Sequence, residues 1–541
     1  MDDSSVIHAY QKILPTFSFP EGKDFAEEFA IKRFRKKMEC PDDSRDEERS
    51  AACWNSWISF DEKLPSNLVM PPKAWYKARS LIHSALKGFR LGDIDFSNGS
   101  EFTPNRGRAS IQQKLSTSNW DCTVGNVDSF AIACHSHPAL KKAVRERFKT
   151  LLRKLGLTMA EANRMIWKGL SHHGKRRPEL CWKVKVSMVV NMVEGSRFST
   201  VRKNNEKDRP INIEAFCNMI TQRQIGLGLK DCLSTFFNLD LTNGKTIHGE
   251  AIQSPLVATI DLQNASDSVT VALIRFLFPG WFVKLLEDAR SPMVLGPDGN
   301  YHWTNKISAM GNGFTFELMT LVILALTRTY DSSSLVFGDD IIIGNQHAVE
   351  VCEDLEAVGF VVNKEKSFIN SPFRESCGAN YLDGYGYIES FDFEYPKTIG
   401  DCVVLHNKAY VLSRSYGAFR ALYGALTRVV SDAALLGRWV IQPSNRLGVP
   451  SYDFPPYFVR QTKKLSGAVV DDKIRRLALK HFASLQLQTE PRFLWGYVSI
   501  DETVTKTLRH MSSRQWAKYY MYLHAGRRTK DVMRDRGRWR R

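Results

Sequence analysis

Three aspartates, Asp261, Asp339 and Asp340, are the residues best suited to chemistry, because each sits in an otherwise apolar stretch. Asp261 comes near the end of Leu256-Val-Ala-Thr-Ile-Asp-Leu262, which reads as a buried strand with a carboxylate at its C-terminal end. Asp339 and Asp340 follow Gly338 between two short β-type runs, Leu335–Phe337 and Ile341–Ile343, so a hairpin is the simplest local structure. A strand end and a hairpin tip can bring three carboxylates together. Hard divalent cations such as Mg²⁺ take oxygen ligands and leave part of their shell to water and substrate phosphates. Two such ions about 3.5–4 Å apart activate an attacking hydroxyl and stabilise a leaving pyrophosphate. An Asp pair in a turn is common, however, and alone it says little.

Three neighbouring features add weight. Lys203, Lys207 and Arg209 crowd one short segment, Lys203-Asn-Asn-Glu-Lys-Asp-Arg209, where cations can hold a triphosphate and Arg209 can bind it bidentately. Ser308-Ala-Met-Gly311-Asn312-Gly313 leads into an apolar helix, and its glycines let the backbone approach a ligand closely. Lys366, in Asn363-Lys-Glu-Lys-Ser367, is a possible proton donor to a leaving pyrophosphate. Taken singly, these read more simply as a solvated basic loop, a flexible helix cap and a surface lysine. Their common order around the acidic residues carries the argument.

The elements that must position these groups follow from periodicity. Asn264, Ser266 and Asp267 offer N-caps before the apolar run Val269–Phe278. Phe314–Arg328 reads as a helix, as does His347–Val358, with Gly359 as its stop and Phe360–Val362 as a further strand. Strand, helix, inserted helix, hairpin, helix and strand predict a small antiparallel sheet with helices on one face, an α+β arrangement.

The 541 residues carry a net charge of +17, unevenly spread: −1 over 1–100, +12 over 101–250, −10 over 251–400 and +16 over 401–541. Basic walls suit a polyanion, whose binding is dominated by phosphate contacts. An acidic centre repels one unless cations neutralise it. A nucleic-acid channel with a carboxylate metal site in its floor satisfies both. Within residues 32–49, the cations Lys32, Arg33, Arg35, Lys36 and Lys37 come before the anions Asp42, Asp43, Asp46, Glu47 and Glu48, and the stretch reads as an exposed helix and loop. The tail Gly526–Arg541, with eight basic residues and Trp539, is suited to holding RNA by charge and stacking. The longest apolar run, Leu318–Leu326, is far short of the about 20 residues of a spanning helix. The acidic start Met-Asp-Asp-Ser-Ser has no signal core, so the cytoplasm is the expected compartment.

With these blocks assembled, the chain resembles the RNA-directed RNA polymerase subunit of the small positive-strand RNA bacteriophages, the levivirus replicases typified by those of phages MS2 and Qβ. The matching stretches are Phe96–Gly99, Asn119–Thr123, Lys203–Arg209, Thr259–Leu262 with Ala265–Ser268, Met310–Leu318, Phe337–Asp340, Gly359–Lys366 and Phe373-Arg-Glu-Ser-Cys-Gly378. The resemblance implies a right-hand polymerase: an N-terminal region (1–90), basic fingers (91–250), an acidic antiparallel-sheet palm (251–400), and a thumb with the basic C-terminal region (401–541). It implies two Mg²⁺ ions, replaceable by Mn²⁺, held by Asp261, Asp339, Asp340 and the Leu262 carbonyl. Lys203, Lys207, Arg209 and Gly311 would belong to the nucleotide site, with Lys366 as general acid. Asp267, Ser308 and Asn312 would read the ribose 2′-hydroxyl. Expected partners are template and product RNA, NTPs, host elongation factors Tu and Ts and a small-subunit ribosomal RNA-binding protein, in the cytoplasm of the infected bacterium and without a membrane. Initiation would be primer-independent.

Other readings remain open on the residues alone. A two-metal nuclease shares the carboxylates but has no use for triphosphate-binding cations. A non-catalytic RNA-binding protein explains the basic flanks but not the three aspartates. A reverse transcriptase would prefer dNTPs.

Overall fold

The computed structural model describes residues 3–38, 43–96, 102, 120–171, 178–204, 206–388, 393, 395–397, 399–430, 436–438 and 457–459. The basic tail Gly526–Arg541, most of the 401–541 region, Asn205, Asn119 and the 97–99 stretch lie outside the described residues.

Gly195–Arg202 (β1) and Asp208–Ile213 (β2) pair antiparallel, with Val201 opposite Arg209, so the basic segment 203–207 is the tip of a hairpin. The second sheet is built from Val257–Gln263 (β3), Leu335–Phe337 (β4), Asp340–Gly344 (β5) and Val361–Val362 (β6), in the order β6-β3-β5-β4 and antiparallel throughout. This is the antiparallel sheet expected between residues 256 and 362. Two further strands, Phe373–Ser376 (β7) and Ala379–Leu382 (β8), form a separate hairpin.

The helices fall in separate cores, of which the largest takes in the sheet. Asp3–Thr16 (α1) and Phe25–Met38 (α2) pack with Ile399–Ser415 (α9) and Ala418–Val430 (α10) around Tyr10, Phe34, Phe419 and Leu422. Residues 3–38 and 399–430 thus share one core. Asp46–Lys63 (α3) lies against β2. Lys73–Ala85 (α4), Phe216–Phe237 (α5), Val271–Leu277 (α6), Thr315–Thr327 (α7) and Ala348–Glu356 (α8) join the sheet in the largest core. In α7 every residue except Phe316 is buried. An apolar pattern on all sides suits a helix enclosed on all sides, and truncating a residue such as Leu321 to Ala there would cost about 2–5 kcal/mol. Among the described residues no helix is long and apolar enough to cross a membrane.

One local expectation is corrected. Asn264, Ser266 and Asp267 do not cap α6. The cap is Thr270, whose side chain accepts from the Leu273 N–H at 3.0 Å. Asn264 adopts a left-handed φ of 49° and accepts from the Asp267 N–H at 2.9 Å, so these residues form a turn after β3. The hydroxyl of a β-branched residue next to the helix outcompetes caps already committed to that turn.

Candidate active site

Asp261 on β3 stands directly opposite Asp340 on β5. Directly opposed residues project to the same face of a sheet, so two carboxylates share one side at its end. Asp339 is the second residue of the two-residue turn and Gly338 the first. Gly338 takes φ 68° and Asp339 does not have a positive φ, the pattern of a type II′ hairpin turn. A Cβ at 338 would come within 2.7 Å of the Phe316 ring, and the Gly338 N–H donates to Thr320 Oγ1 at 3.0 Å. Glycine therefore lets the turn seat itself on α7.

The site's electrostatics follow from crowding like charges. The Asp340 carboxyl is pushed up to about 6 by burial first, then by the charge of Asp339, while a Cys377 N–H draws it down and Asp261 raises it again. Partial desolvation and Asp261 also raise Asp339, with Lys366 and Arg209 opposing. Three carboxylates gathered at one end of a sheet, the charge of Asp261 raising the other two, have the donor chemistry of a hard divalent-cation site. Among the described residues, however, no three His, Cys, Asp or Glu side chains are gathered closely enough to hold a metal ion. The residues suit the ion by chemistry, and the ligand shell is not assembled in this structure.

Asp261 is held from the other side. Its Oδ2 accepts from Asn363 Nδ2 at 2.6 Å and lies 4.0 Å from Lys366 Nζ. Its backbone N–H donates to Ser367 Oγ at 3.1 Å, and its carbonyl accepts from the Asn363 N–H at 2.9 Å. The segment 363–367 is thus clipped beneath the carboxylate. Leu262, next along β3, is buried opposite Val362.

The predicted cations reach the same place. Desolvation lowers the Lys203 ammonium, and the charges of Arg209, Lys366 and Lys36 lower it further while Asp261 raises it. Arg209 and Lys366 both act on Asp339. Lys203, Arg209, Lys366, Asp261, Asp339 and Asp340 are therefore one electrostatic neighbourhood. Lys207 lies on the same hairpin tip, where its carbonyl accepts from the Lys203 and Asn204 N–H groups at 3.0 and 3.1 Å. Lys36 carried no sequence signal beyond its charge run, since packing of α2 brings it across from the other end of the chain. Asn363 was visible only as part of a matching stretch.

The glycine loop is built on the end of β2. Asn212 N–H donates to the Met310 carbonyl at 2.8 Å, and a Cβ on Gly311, whose φ is 112°, would meet the Asn212 carbonyl oxygen at 2.1 Å. The Gly313 N–H donates to Gln222 Oε1 at 3.1 Å, and Gln222 Nε2 donates to Glu214 Oε2 at 3.1 Å. Glu214 is a buried carboxylate that also accepts from Ser291 Oγ at 2.5 Å. Burial raises its carboxyl, with Ser291, Gln222 and Asn312 opposing. Neither Glu214 nor Gln222 had a recognisable sequence pattern. Ser308 and Asn312 are buried on this loop. Asp267 is buried as well, with its carboxylate held by Lys306 and Trp57.

The family model described as RNA replicase, beta-chain, matches residues 64–388. The RNA-directed RNA polymerase subunit beta of Enterobacteria phage SP is 37% identical over 236 residues, covering 42% of this chain and 41% of the relative. That of Escherichia virus Qbeta is 42% identical over 196 residues, covering 34% and 33%. The matched stretches thus span about two fifths or less of those relatives' own length. Among solved structures, the RNA-dependent RNA polymerase from bacteriophage phi12 has a TM-score of 0.44 at 12% identity, covering 79% of this chain and 76% of that one.

Proposed function

Since the chain belongs to the RNA replicase beta-chain family, we propose that it synthesises RNA from NTPs on a phage RNA template without a primer, by two-metal-ion nucleotidyl transfer. The observation that carries this reading is the in-register pair Asp261–Asp340, joined by Asp339 and faced by Lys203, Arg209 and Lys366. Asp261, Asp339, Asp340 and the Leu262 carbonyl would hold two Mg²⁺ ions, with Mn²⁺ as a substitute. Bound there, such ions lower the pKa of an attacking hydroxyl and neutralise a leaving pyrophosphate. Arg209, Lys203 and Lys207 hold the triphosphate, Arg209 by a two-point contact. Lys366 gives a proton to the departing pyrophosphate. Asn363 fixes the orientation of Asp261. Gly311 lets the loop backbone lie against the nucleotide site, and Asp267, Ser308 and Asn312 read the ribose.

The division into N-terminal region, fingers, palm and thumb at 90, 250 and 400 belongs to the same proposal. So do the host partners, elongation factors Tu and Ts and a small-subunit ribosomal RNA-binding protein, and the bacterial cytoplasm as the place of action. A nuclease would need no cation cluster beside its carboxylates, so the cluster favours synthesis.

The test is nucleotide incorporation. Chain purified from bacteria with the proteins that accompany it is given RNA template, NTPs and Mg²⁺ but no primer, beside the Asp339→Asn/Asp340→Asn double variant. Synthesis by the wild type alone supports the reading. Template degradation without incorporation, with factors Tu and Ts supplied, would replace it with the nuclease.

A further inference from the structure

Lys306 is only 1% exposed, and two carboxylates share its ammonium. Asp267 Oδ1 lies 3.2 Å from Lys306 Nζ and Asp61 Oδ1 lies 3.6 Å away. The ammonium also sits 3.7 Å from the centre of the Trp57 ring, and Trp57 Nε1–H donates to the same Asp267 oxygen at 3.1 Å. Asp61 accepts in addition from the backbone N–H groups of Asn305 and Lys306, at 2.9 and 3.2 Å.

This cluster joins three parts of the site. Trp57 and Asp61 come from α3, Asp267 from the turn after β3, and Lys306 from the segment that leads into Ser308. The same helix grips the cation hairpin. Arg49 bonds Asp46 and lies 3.7 Å from Asp208, the neighbour of Arg209. Cys53 Sγ donates to the Asp208 carbonyl at 3.6 Å, and its thiol is pushed up to about 11 by burial first and then by the charges of Asp208 and Asp267. Trp54 meets the ring of Phe198 of β1 edge-on, and Trp57 meets it at a tilt. The cluster therefore lies between the hairpin that carries Lys203 and Arg209 and the strand that carries Asp261.

A buried ammonium with two carboxylates is a poor way to gain stability, since apolar side chains of similar volume often do as well or better. It is a good way to hold one carboxylate in one orientation. We propose that Trp57, Asp61 and Lys306 are positioning residues for Asp267, fixing its carboxylate as an acceptor for the ribose hydroxyl of the incoming nucleotide and so setting the preference for ribonucleotides. The inference rests on the polymerase reading above. A carboxylate accepts a hydrogen bond from the 2′-hydroxyl of an NTP, whereas a dNTP leaves it buried without that partner, and sites built around such a bond reject the analogue that lacks it. Burial raises the Asp267 carboxyl, and Lys306 and Trp57 draw it back toward the charged, acceptor-only form.

The test compares kcat/KM for CTP and dCTP on an RNA template with Mg²⁺, in the wild type, Trp57→Phe, Lys306→Arg and Lys306→Met. Trp57→Phe keeps an aromatic ring beside the ammonium and removes the indole donor. The preference for CTP should fall about tenfold in Trp57→Phe, mainly through a higher KM for CTP, and further in Lys306→Met. Lys306→Arg should restore part of what Lys306→Met loses. Where Lys306→Met does not fold, Trp57→Phe and Lys306→Arg decide. Unchanged preference in a Trp57→Phe protein of wild-type unfolding midpoint would overturn the inference. A wild type that makes no RNA with elongation factors Tu and Ts supplied removes the polymerase reading. A wild type that makes RNA, with variants that all keep its preference, removes this inference alone.

Discussion

Asp261 and Asp340 face each other across β3 and β5 as a cross-strand pair of like charge. Such a pair is destabilising by about 0.2–1 kcal/mol where nothing neutralises it. Here Asp339 adds a third carboxylate at the same end of the sheet. On the proposed reading, a bound cation would offset that cost.

Asp340→Asn should therefore abolish RNA synthesis and leave the fold at least as stable. In the absence of divalent ions its unfolding free energy should equal that of the wild type or exceed it by about 0.2–1 kcal/mol. Mg²⁺ should stabilise the wild type by mass action and the variant much less. Thermal unfolding with and without Mg²⁺ checks both. An equal Mg²⁺-dependent rise in the two proteins would remove Asp340 from the metal site.

The acidity of the same residue predicts a pH effect. The folded Asp340 carboxyl sits at about 6, above its usual 3.8. A raised carboxyl contributes stability that is fully present below about pH 4 and is lost as pH rises through 6. The wild type should lose stability relative to Asp340→Asn over that window and run parallel to it above. Apparent Mg²⁺ affinity should rise over the same interval, because protons compete for the oxygens. Denaturant unfolding of both proteins at intervals from pH 4 to 7 measures the first effect, and parallel curves throughout would contradict the raised carboxyl.

How much of this was legible in the sequence depended on distance along the chain. The strand at Asp261 and the hairpin at Asp339–Asp340 were readable because their signals are local: β-type runs, a Gly-Asp pair and a two-residue turn. The antiparallel sheet followed from their order. The N-cap of α6 was misread because three cap-type residues precede Thr270, and only the turn at Asn264 decides among them. The place of Lys36 beside the site, Glu214, Gln222, and the contacts of Trp57, Asp61 and Lys306 with Asp267 were not legible. Each gains its role from a partner elsewhere in the chain, as Asp61 does from Lys306, and a buried polar residue has no periodicity to betray it.

The cations should separate kinetically. Arg209→Ala should raise KM for NTP by about tenfold or more, the loss of one charge-assisted contact to phosphate, with a smaller change in kcat. Lys366→Met should act mainly on kcat, by about 10²–10⁴-fold if it supplies the proton. Its Nζ lies 4.0 Å from Asp261 Oδ2, so part of that loss would reflect a displaced aspartate. The pH–rate profile tells these apart: loss of a general acid removes the alkaline limb, whereas a displaced aspartate lowers the rate at every pH. An Arg209→Ala protein with unchanged nucleotide dependence would place the triphosphate elsewhere.

The glycine loop offers a test in which backbone strain and steric contact can be separated. Gly311 and Gly299 both have positive φ, 112° and 79°. A Cβ at Gly299 would meet nothing within 4 Å, whereas one at Gly311 would lie 2.1 Å from the Asn212 carbonyl oxygen. Gly299→Ala should thus cost only the conformational penalty, about 1 kcal/mol, and leave synthesis intact. Gly311→Ala should cost more, about 1–3 kcal/mol, because the loop must also leave β2. That movement breaks the bond from the Asn212 N–H to the Met310 carbonyl and carries Asn312 with it, so synthesis should fall well beyond what the lost stability explains. Unfolding free energies and incorporation rates of the two variants, measured side by side, decide the matter: equal losses in both would mean that the close approach of Gly311 to β2 plays no part in the site.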